Sequence, residues 1–333
     1  MTSLSKGLSW FSHVAATSIV GITMLALVSS WLGWWLPLEL ASHFQVQYTI
    51  ASLLLWLLLL WSRRQIFSIP SIVGLFCLAI LSTNILFWYI PIFRPPIQGQ
   101  GLRVLIANVN TKNHQHSLLL NLIEQTKPDL ALVMEVNDRW LEALQTLQPR
   151  FPYAIGRSAD HNFGIVLLSR HPLQQPEIKQ FGPANIASIV SQMTIAGQPL
   201  SFVATHPLPP KSEFFFVRND QLAEVASYVQ RLPPPIILAG DLNLSLWSPY
   251  YRQLVSKTGL VNTRRGFGPA PTWPSPGTYG REIPSFLLRL LAIPIDHCLI
   301  SPDIQVRNLK TGPRIGSDHL PIIVDLVIPL HST

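Results

Sequence analysis

The distribution of apolar and polar positions changes character once along the chain, near residue 95. Ahead of that point lie three uncharged stretches, roughly residues 15 to 36, 44 to 61 and 67 to 90. Each comes close to the ~20 apolar residues that a helix needs to cross the hydrocarbon core. They predict three transmembrane helices, the middle one the shortest. Trp34, Trp35, Trp56, Trp61, Trp88 and Tyr89 fall mostly towards the ends of these stretches, where amphipathic rings favour the membrane interface. A cleaved signal peptide fits the first stretch poorly: "WLGWWLPL" offers no small-residue cleavage pattern, and more apolar segments follow.

Beyond residue 95 the apolar runs shorten and alternate with polar punctuation. "LRVLIANVN" (102–110) reads as a buried strand, "SLLLNLIEQT" (117–126) as a helix and "PDLALVMEV" (128–136) as a second strand, which together make a βαβ pattern. Further strands are predicted at 163–170, 189–195, 200–206, 236–240, 296–301, 305–310 and 321–328. A helix with Ser212 as its N-cap is predicted through "EFFFVRNDQLAEVASYVQRL". The chain thus divides into a membrane anchor (1–95), a short Pro/Gly linker (96–101) and a mixed α/β domain (102–333), held near the membrane as if on a tether.

Charge sharpens this division. The first 98 residues hold only Lys6, Glu39, Arg63, Arg64 and Arg94, a net +3, which leaves +4 of the total +7 for the remainder. So small and scattered an excess argues against a phosphate-tracking basic surface. Lys6 and Arg63–Arg64 flank the spans on one side, while the first connector carries only Glu39. The positive-inside rule then predicts a multi-pass protein of the cell (inner) membrane, with its N-terminus cytoplasmic and everything after residue 95 extracytoplasmic. Cys77 and Cys298 fall in different regions, so no disulfide is expected, despite the oxidising compartment.

Polar residues recur at the predicted strand ends. Asn108 and Asn110 close the first strand, Glu135 the second and His206 a later one. Asp241 and Asn243 follow "IILAG", Asp296 opens another strand, and Asp318 and His319 precede the last. Side chains at strand ends can converge on one rim of a rigid scaffold. Glu135 with Asn108 would suit a hard divalent ion, which takes oxygen ligands. Asp296 and Asp318 could fix and charge a histidine facing a phosphate. His297 should point away from Asp296, since neighbours on a strand face opposite sides. His114, His116, His161 and His171 read as surface residues. "REIPSFLLRLLAIPI" (281–295) reads as a buried helix, with a surface touching lipid headgroups as the alternative.

Taken in order, "ANVN", "DLALVMEV", "FGIVLLSRHPL", "ATHPLPP", "ILAGDLN", "IPIDHCLIS" and "GSDHLPIIVDL" resemble the endonuclease/exonuclease/phosphatase superfamily, of deoxyribonuclease I-like fold, over residues 101–328. With the spans ahead of it, the chain is most similar to the membrane-anchored bacterial branch. The resemblance implies a four-layer α/β sandwich and hydrolysis of phosphodiester or phosphomonoester bonds with Mg²⁺, or with Mn²⁺ or Ca²⁺. It implies that Glu135 is the main metal ligand, helped by Asn108, and that Asp241 orients or deprotonates the attacking water beside Asn243. His206 and His319 would bind phosphoryl oxygens, Asp296 would pair with His319, Asp318 would orient the cluster or reach the metal, and either Asp241 or His319 could be the base. Asn110 departs from the pattern, since some branches carry an acid there. Nucleic acid, a lipid headgroup or a small phosphate are all open as substrate. A catalytically silent scaffold on the same fold predicts erosion of the polar set, and none of the eight residues is missing. A calcineurin-like phosphatase would need a "GNH" element, which the chain lacks.

Overall fold

A computed structural model describes residues 3–63, 68–92, 95–276 and 283–330. Arg64, Arg94 and Arg281 lie outside the described residues, as do the side chains of Lys6 and Arg63. Four helices come first: α1 (Ser3–Leu32), α2 (Leu36–Ser42), α3 (Gln45–Arg63) and α4 (Ile69–Leu86). Trp10–Leu32, Gln45–Ser62 and Ile69–Tyr89, the last including the 3₁₀ turn Phe87–Tyr89 that follows α4, are long and apolar enough to cross a membrane. The first helix stops at Leu32, short of the expected residue 36. At Gly33 the chain folds back so tightly that a Cβ would meet the Ser29 carbonyl oxygen at 2.0 Å. Helix α2 then restarts with Pro37 in its first turn, where a missing N–H costs nothing. Helices α1, α3 and α4 pack together, with Gly74 beneath the Trp56 ring, whose Nε1 donates to Ser71 O.

The rest of the chain runs β1 (Gly99–Asn108), α5 (His116–Thr126), β2 (Leu130–Met134), α6 (Asp138–Gln145), β3 (Tyr153–Arg157), β4 (Ile165–Ser169), β5 (Gln174–Gln180), β6 (Ala187–Ile195) and β7 (Gln198–Ala204). It continues with α7 (Phe214–Val229), β8 (Ile236–Asp241), α8 (Pro249–Thr258), β9 (Val261–Asn262), α9 (Ser285–Leu291), β10 (Asp296–Ile300), β11 (Gln305–Thr311) and β12 (Ile322–Pro329). Two six-stranded mixed sheets result, ordered β11-β12-β1-β2-β4-β3 and β5-β6-β7-β8-β10-β9. Alternate strand residues face inwards: Val104, Ile106, Leu132 and Val324 meet Ile189, Phe202, Ala239 and Cys298 in a dry layer between the sheets. The opposite set, Leu105, Ala107 and Val133, packs on Leu119, Ile123 and Trp140 of α5 and α6. Val203 and Leu238 pack on Leu222, Val225 and Leu254 of α7 and α8. The architecture is the four-layer α/β sandwich that the motifs imply.

Local expectations are corrected in four places. Ser212 does not cap α7; that position is Glu213, whose carboxylate the Ser212 hydroxyl contacts instead. His116 and His171 are half-buried, the His116 ring 4.4 Å from that of Trp140. The 281–295 stretch forms only the short helix α9, in which Leu288 alone is buried while Phe286, Leu287, Leu290 and Leu291 are exposed. Finally, the domain does not hang on a tether but is seated on the helix ends. Trp88 is buried in the α7–α8 cluster, and its carbonyl accepts from the N–H groups of Gly266 and Gly268. Tyr250 Oη donates to Trp34 O at 2.8 Å, and the Arg252 guanidinium lies 4.4 Å from the Trp31 ring.

Candidate active site

Strand direction brings the polar residues together. β1 runs parallel to β2 and β7 parallel to β8, so Asn108, Glu135, His206 and Asp241 all emerge at carboxyl-terminal ends. β10 and β12 run antiparallel to these neighbours, which returns Asp296 and the residues before Ile322 to the same rim. Asp296 stands directly opposite Asp241 in the register. Strand β7 ends at Ala204, so His206 projects from the turn beyond it.

The turn after β8 explains an otherwise puzzling glycine. Gly240 has φ +150°, and a Cβ there would lie 1.9 Å from Thr205 O, so only glycine lets β8 come this close to the β7 end. Asp241 Oδ1 then accepts from the Asn243 N–H at 3.0 Å, and Asn243 Nδ2 donates to Pro207 O at 3.0 Å. Asn243 (φ +51°), Asn110 (φ +59°) and Glu135 (φ +62°) are all left-handed. Asparagine tolerates that region, whereas a glutamate there stores strain, as functional sites often do.

Asn108 is the hub. Its Nδ2 donates to Glu135 Oε1 at 2.9 Å and to Asp241 Oδ2 at 3.2 Å. His319 Nδ1 pairs with Asp296 Oδ2 at 2.8 Å, and its Nε2 lies 3.6 Å from Asp241 Oδ2. His206 Nε2 lies 3.5 Å from the same oxygen, while its Nδ1 is buried with no hydrogen-bond partner among the described residues. Asp318 sits further out, accepting from Asn110 Nδ2 at 2.7 Å and Trp273 Nε1 at 3.2 Å. Asn110 thus supplies a donor to Asp318 where an acid would repel it. All eight residues expected at the site lie on this rim. Asn108, Glu135, His206, Asp241, Asp296 and His319 are buried, and Asp318 and Asn243 are partly so.

Burial and neighbouring charge set the protonation pattern. Burial lowers the affinity of His319 for its proton, but Asp296, Asp241 and Asp318 outweigh it and lift the imidazole to about 10. Burial would also raise Asp296, yet the His319 cation holds it below its ordinary value. Asp241 is pushed up by burial and by Asp296, and Glu135 by burial. His206 is driven down to about 4 by burial and by the His319 charge, so it is neutral. The Asp241, Asp296 and His319 ligand atoms lie within 4.8 Å of one another. That trio is held by an internal Asp–His ion pair, whereas the oxygens of Glu135 and Asp318 accept from neutral donors, Asn108 and Thr111 for the one and Asn110 and Trp273 for the other.

The sequence gives no direct sign of several other contributors. Trp273 orients Asp318, and Thr111 bonds Glu135 through both its N–H and its hydroxyl. More unexpectedly, Leu40, His43 and Phe44 from the connector between the first two spans line the same cavity, which has a volume of about 520 Å³. His43 Nδ1 bonds Ser245 Oγ at 2.8 Å, and buried Arg218 joins Glu39 of α2 (3.4 Å) to the carbonyl of Asn243 (2.9 Å). A polar Glu39/Ser42/His43 set inside an otherwise apolar region was the available signal.

Comparison with known proteins agrees with this geometry. No curated protein is similar enough to count as a relative. Among solved structures, D. rerio TDP2 complexed with single strand DNA product is 18% identical, covering 69% of this chain and 100% of that one with a TM-score of 0.57. The human Nocturnin catalytic domain with bound sulfate anion is 19% identical over 71% of this chain and 99% of that one, TM-score 0.54. An endonuclease/exonuclease/phosphatase from Beutenbergia cavernae is 19% identical over 69% and 72% of the two chains, TM-score 0.53. At such identities these likenesses establish the fold. The family model described as "Endonuclease/Exonuclease/phosphatase family" matches residues 105–319, nearly the whole span from β1 to His319, and the chain belongs to that family.

Proposed function

We propose that the chain is a membrane-anchored, divalent-metal-dependent phosphoesterase that hydrolyses its substrate by in-line attack of water. The observation that carries this reading is the convergence of Asn108, Glu135, His206, Asp241, Asp296 and His319 on one rim, within a family of phosphoester-cleaving enzymes. Residues 1–95 form the anchor, 96–101 the link and 102–333 the catalytic domain. The charge distribution supports an inner-membrane location with the N-terminus inside and the domain outside the cytoplasm. An alkaline-phosphatase fusion at the C-terminus should therefore be active, and an inactive fusion would reverse the orientation.

The donor set fits a hard cation such as Mg²⁺, with Mn²⁺ or Ca²⁺ as substitutes. Glu135 is buried at 7% exposure, and among the described residues its charge is eased by the Asn108 amide, the Thr111 N–H and the His319 cation rather than by a direct ion pair. Glu135 would hold the ion with help from Asn108, and Asp318 lies close by. When bound, the cation supplies positive charge to the phosphoryl and leaving oxygens.

The protein's own groups divide the remaining work. Asp241 serves as the base that orients and deprotonates water; its raised proton affinity brings it nearer the working pH, where general bases act best. His319, held cationic by Asp296, is unsuited to that task and instead neutralises a phosphoryl oxygen. His206 offers a neutral N–H to another oxygen, and Asn243 fixes the Asp241 loop. Full-length protein in detergent, assayed with each metal on bis(4-nitrophenyl) phosphate, 4-nitrophenyl phosphate and a single-stranded oligonucleotide, should hydrolyse at least one of them. Glu135→Ala and Asp241→Asn should each lower kcat by roughly a hundredfold or more. Wild-type turnover no greater than that of Glu135→Ala on every ester would remove this reading.

A further inference from the structure

The cavity over the catalytic rim is larger and more apolar than a phosphate requires. Its volume of about 520 Å³ compares with ~30 Å³ for one water. Beyond the polar rim its walls are Leu40, Phe44, Phe163, Pro210, Ile293 and Ile295. Leu40 and Phe44 come from the connector that immediately precedes the second spanning segment, Gln45–Ser62. One wall of the cavity is therefore built from residues that adjoin the start of a helix long and apolar enough to cross a membrane.

The opposite wall reaches the start of that helix independently. Ile293 follows α9, whose last turn is fastened to the start of α3: Gln47 Nε2 donates to Leu290 O at 2.8 Å. Phe286 is 68% exposed, and Leu287, Leu290 and Leu291 are exposed beside it, with Arg289 among them. In water this would be a costly apolar patch. Beside the end of a helix that spans a bilayer it would sit at the headgroup and acyl boundary, where apolar faces with a nearby cation are favoured. Lys211 adds a cation on the cavity lining.

We propose that the substrate is a membrane amphiphile, a lipid phosphoester that enters sideways between the Leu40–Phe44 connector and α9. Its phosphate reaches the Asp241/His319 rim while its hydrocarbon lies along Phe44, Ile293 and Ile295. This rests on the phosphoesterase reading and narrows its substrate class from any phosphoester to one with a hydrocarbon tail. Nucleic acid would find a lone lysine, Lys211, among the described residues of the lining, and no use for the apolar walls.

The test uses the full chain in phosphatidylcholine nanodiscs doped with dioleoyl phosphatidic acid or dioleoyl phosphatidylglycerol. Glycerol 3-phosphate, glycerophosphoglycerol, bis(4-nitrophenyl) phosphate and an oligonucleotide serve as soluble comparisons. At least one lipid should be cleaved with kcat/KM roughly a hundredfold above its headgroup counterpart, the gain expected from burying three or four methylenes. Phe286→Ser/Leu290→Ser, which alters only the exposed side of α9, should lower lipid turnover about tenfold and leave the nitrophenyl ester rate unchanged. A photoactivatable diazirine phosphatidic acid should also label the 36–44 peptide of the Glu135→Ala protein, a readout independent of turnover. Equal rates on lipids and their headgroups, or preference for the oligonucleotide, would overturn the lipid substrate while leaving the phosphoesterase intact. Labelling confined to the bilayer-facing sides of α1 and α3 would overturn it whatever the rates. Silence on every ester would instead reject the enzyme reading.

Discussion

His297 adjoins Asp296 yet faces away from the cleft, as strand alternation requires. Its Nε2 donates to Leu244 O at 2.7 Å and its Nδ1 accepts from Asn262 Nδ2 at 3.1 Å, so the neutral ring is fully satisfied. Burial and nearby Arg264 drive it down to about 3. The unfolded chain binds this proton near pH 6.5 and the folded one does not, so its share of stability is complete above 6.5 and falls as the pH drops towards 3. We expect a loss on the order of 2–3 kcal/mol between pH 6.5 and 4.5 from this residue. Thermal unfolding of the detergent-solubilised protein across that range should show it, and His297→Gln should flatten the acid limb. A limb unchanged in the variant would mean that other groups set it. The residues of the rim were legible because strand ends are where polar side chains interrupt apolar runs. Trp273 and Thr111 were not, because each acts through contacts made only by tertiary folding, and neither the "PTWP" nor the "NTK" context marks them.

At the scale of elements, the αβ order and the long buried strands were readable from apolar runs alone. The exposed strands β3 and β5 and the short α2 were not, and α9 was expected as a longer, buried helix. "QQPEIKQ" carries a strand with almost no burial, so no periodicity betrays it; β5 exists because β6 offers it a hydrogen-bonding edge. Helix α2 is defined by its contacts with the domain. Burial alone would raise the Glu39 carboxyl, but His43, Arg218 and Ser248 hold it below its ordinary value. The Glu39–Arg218 pair has both side chains at 0% exposure. Removing one partner strands a buried charge, so Glu39→Leu should cost about 3–5 kcal/mol, and Glu39→Leu/Arg218→Met much less than the sum of the single changes. A double-mutant cycle on unfolding of the full chain measures this directly. Additive losses would mean that the two groups do not interact.

For the whole molecule, the seating of the domain on the helix ends decides how it can be handled. Trp88 fills a place in the α7–α8 core, and Trp34, Trp31 and Asn84 cover Tyr250, Arg252 and Trp247. A chain starting at residue 96 would uncover Trp247 and Leu246 and leave Arg218 without Glu39. It should therefore self-associate in size-exclusion chromatography and unfold at a lower temperature than the full chain in detergent. A monodisperse fragment of equal thermal stability would contradict this.

Leu40, His43 and Phe44 line the cavity over the polar rim, yet they fall outside the 105–319 region shared with the family. If this cavity takes the substrate as proposed, the heritable unit of specificity is larger than the shared domain. In a chimera, the first 95 residues would bring their donor's substrate preference with them, even if every catalytic residue came from the other parent.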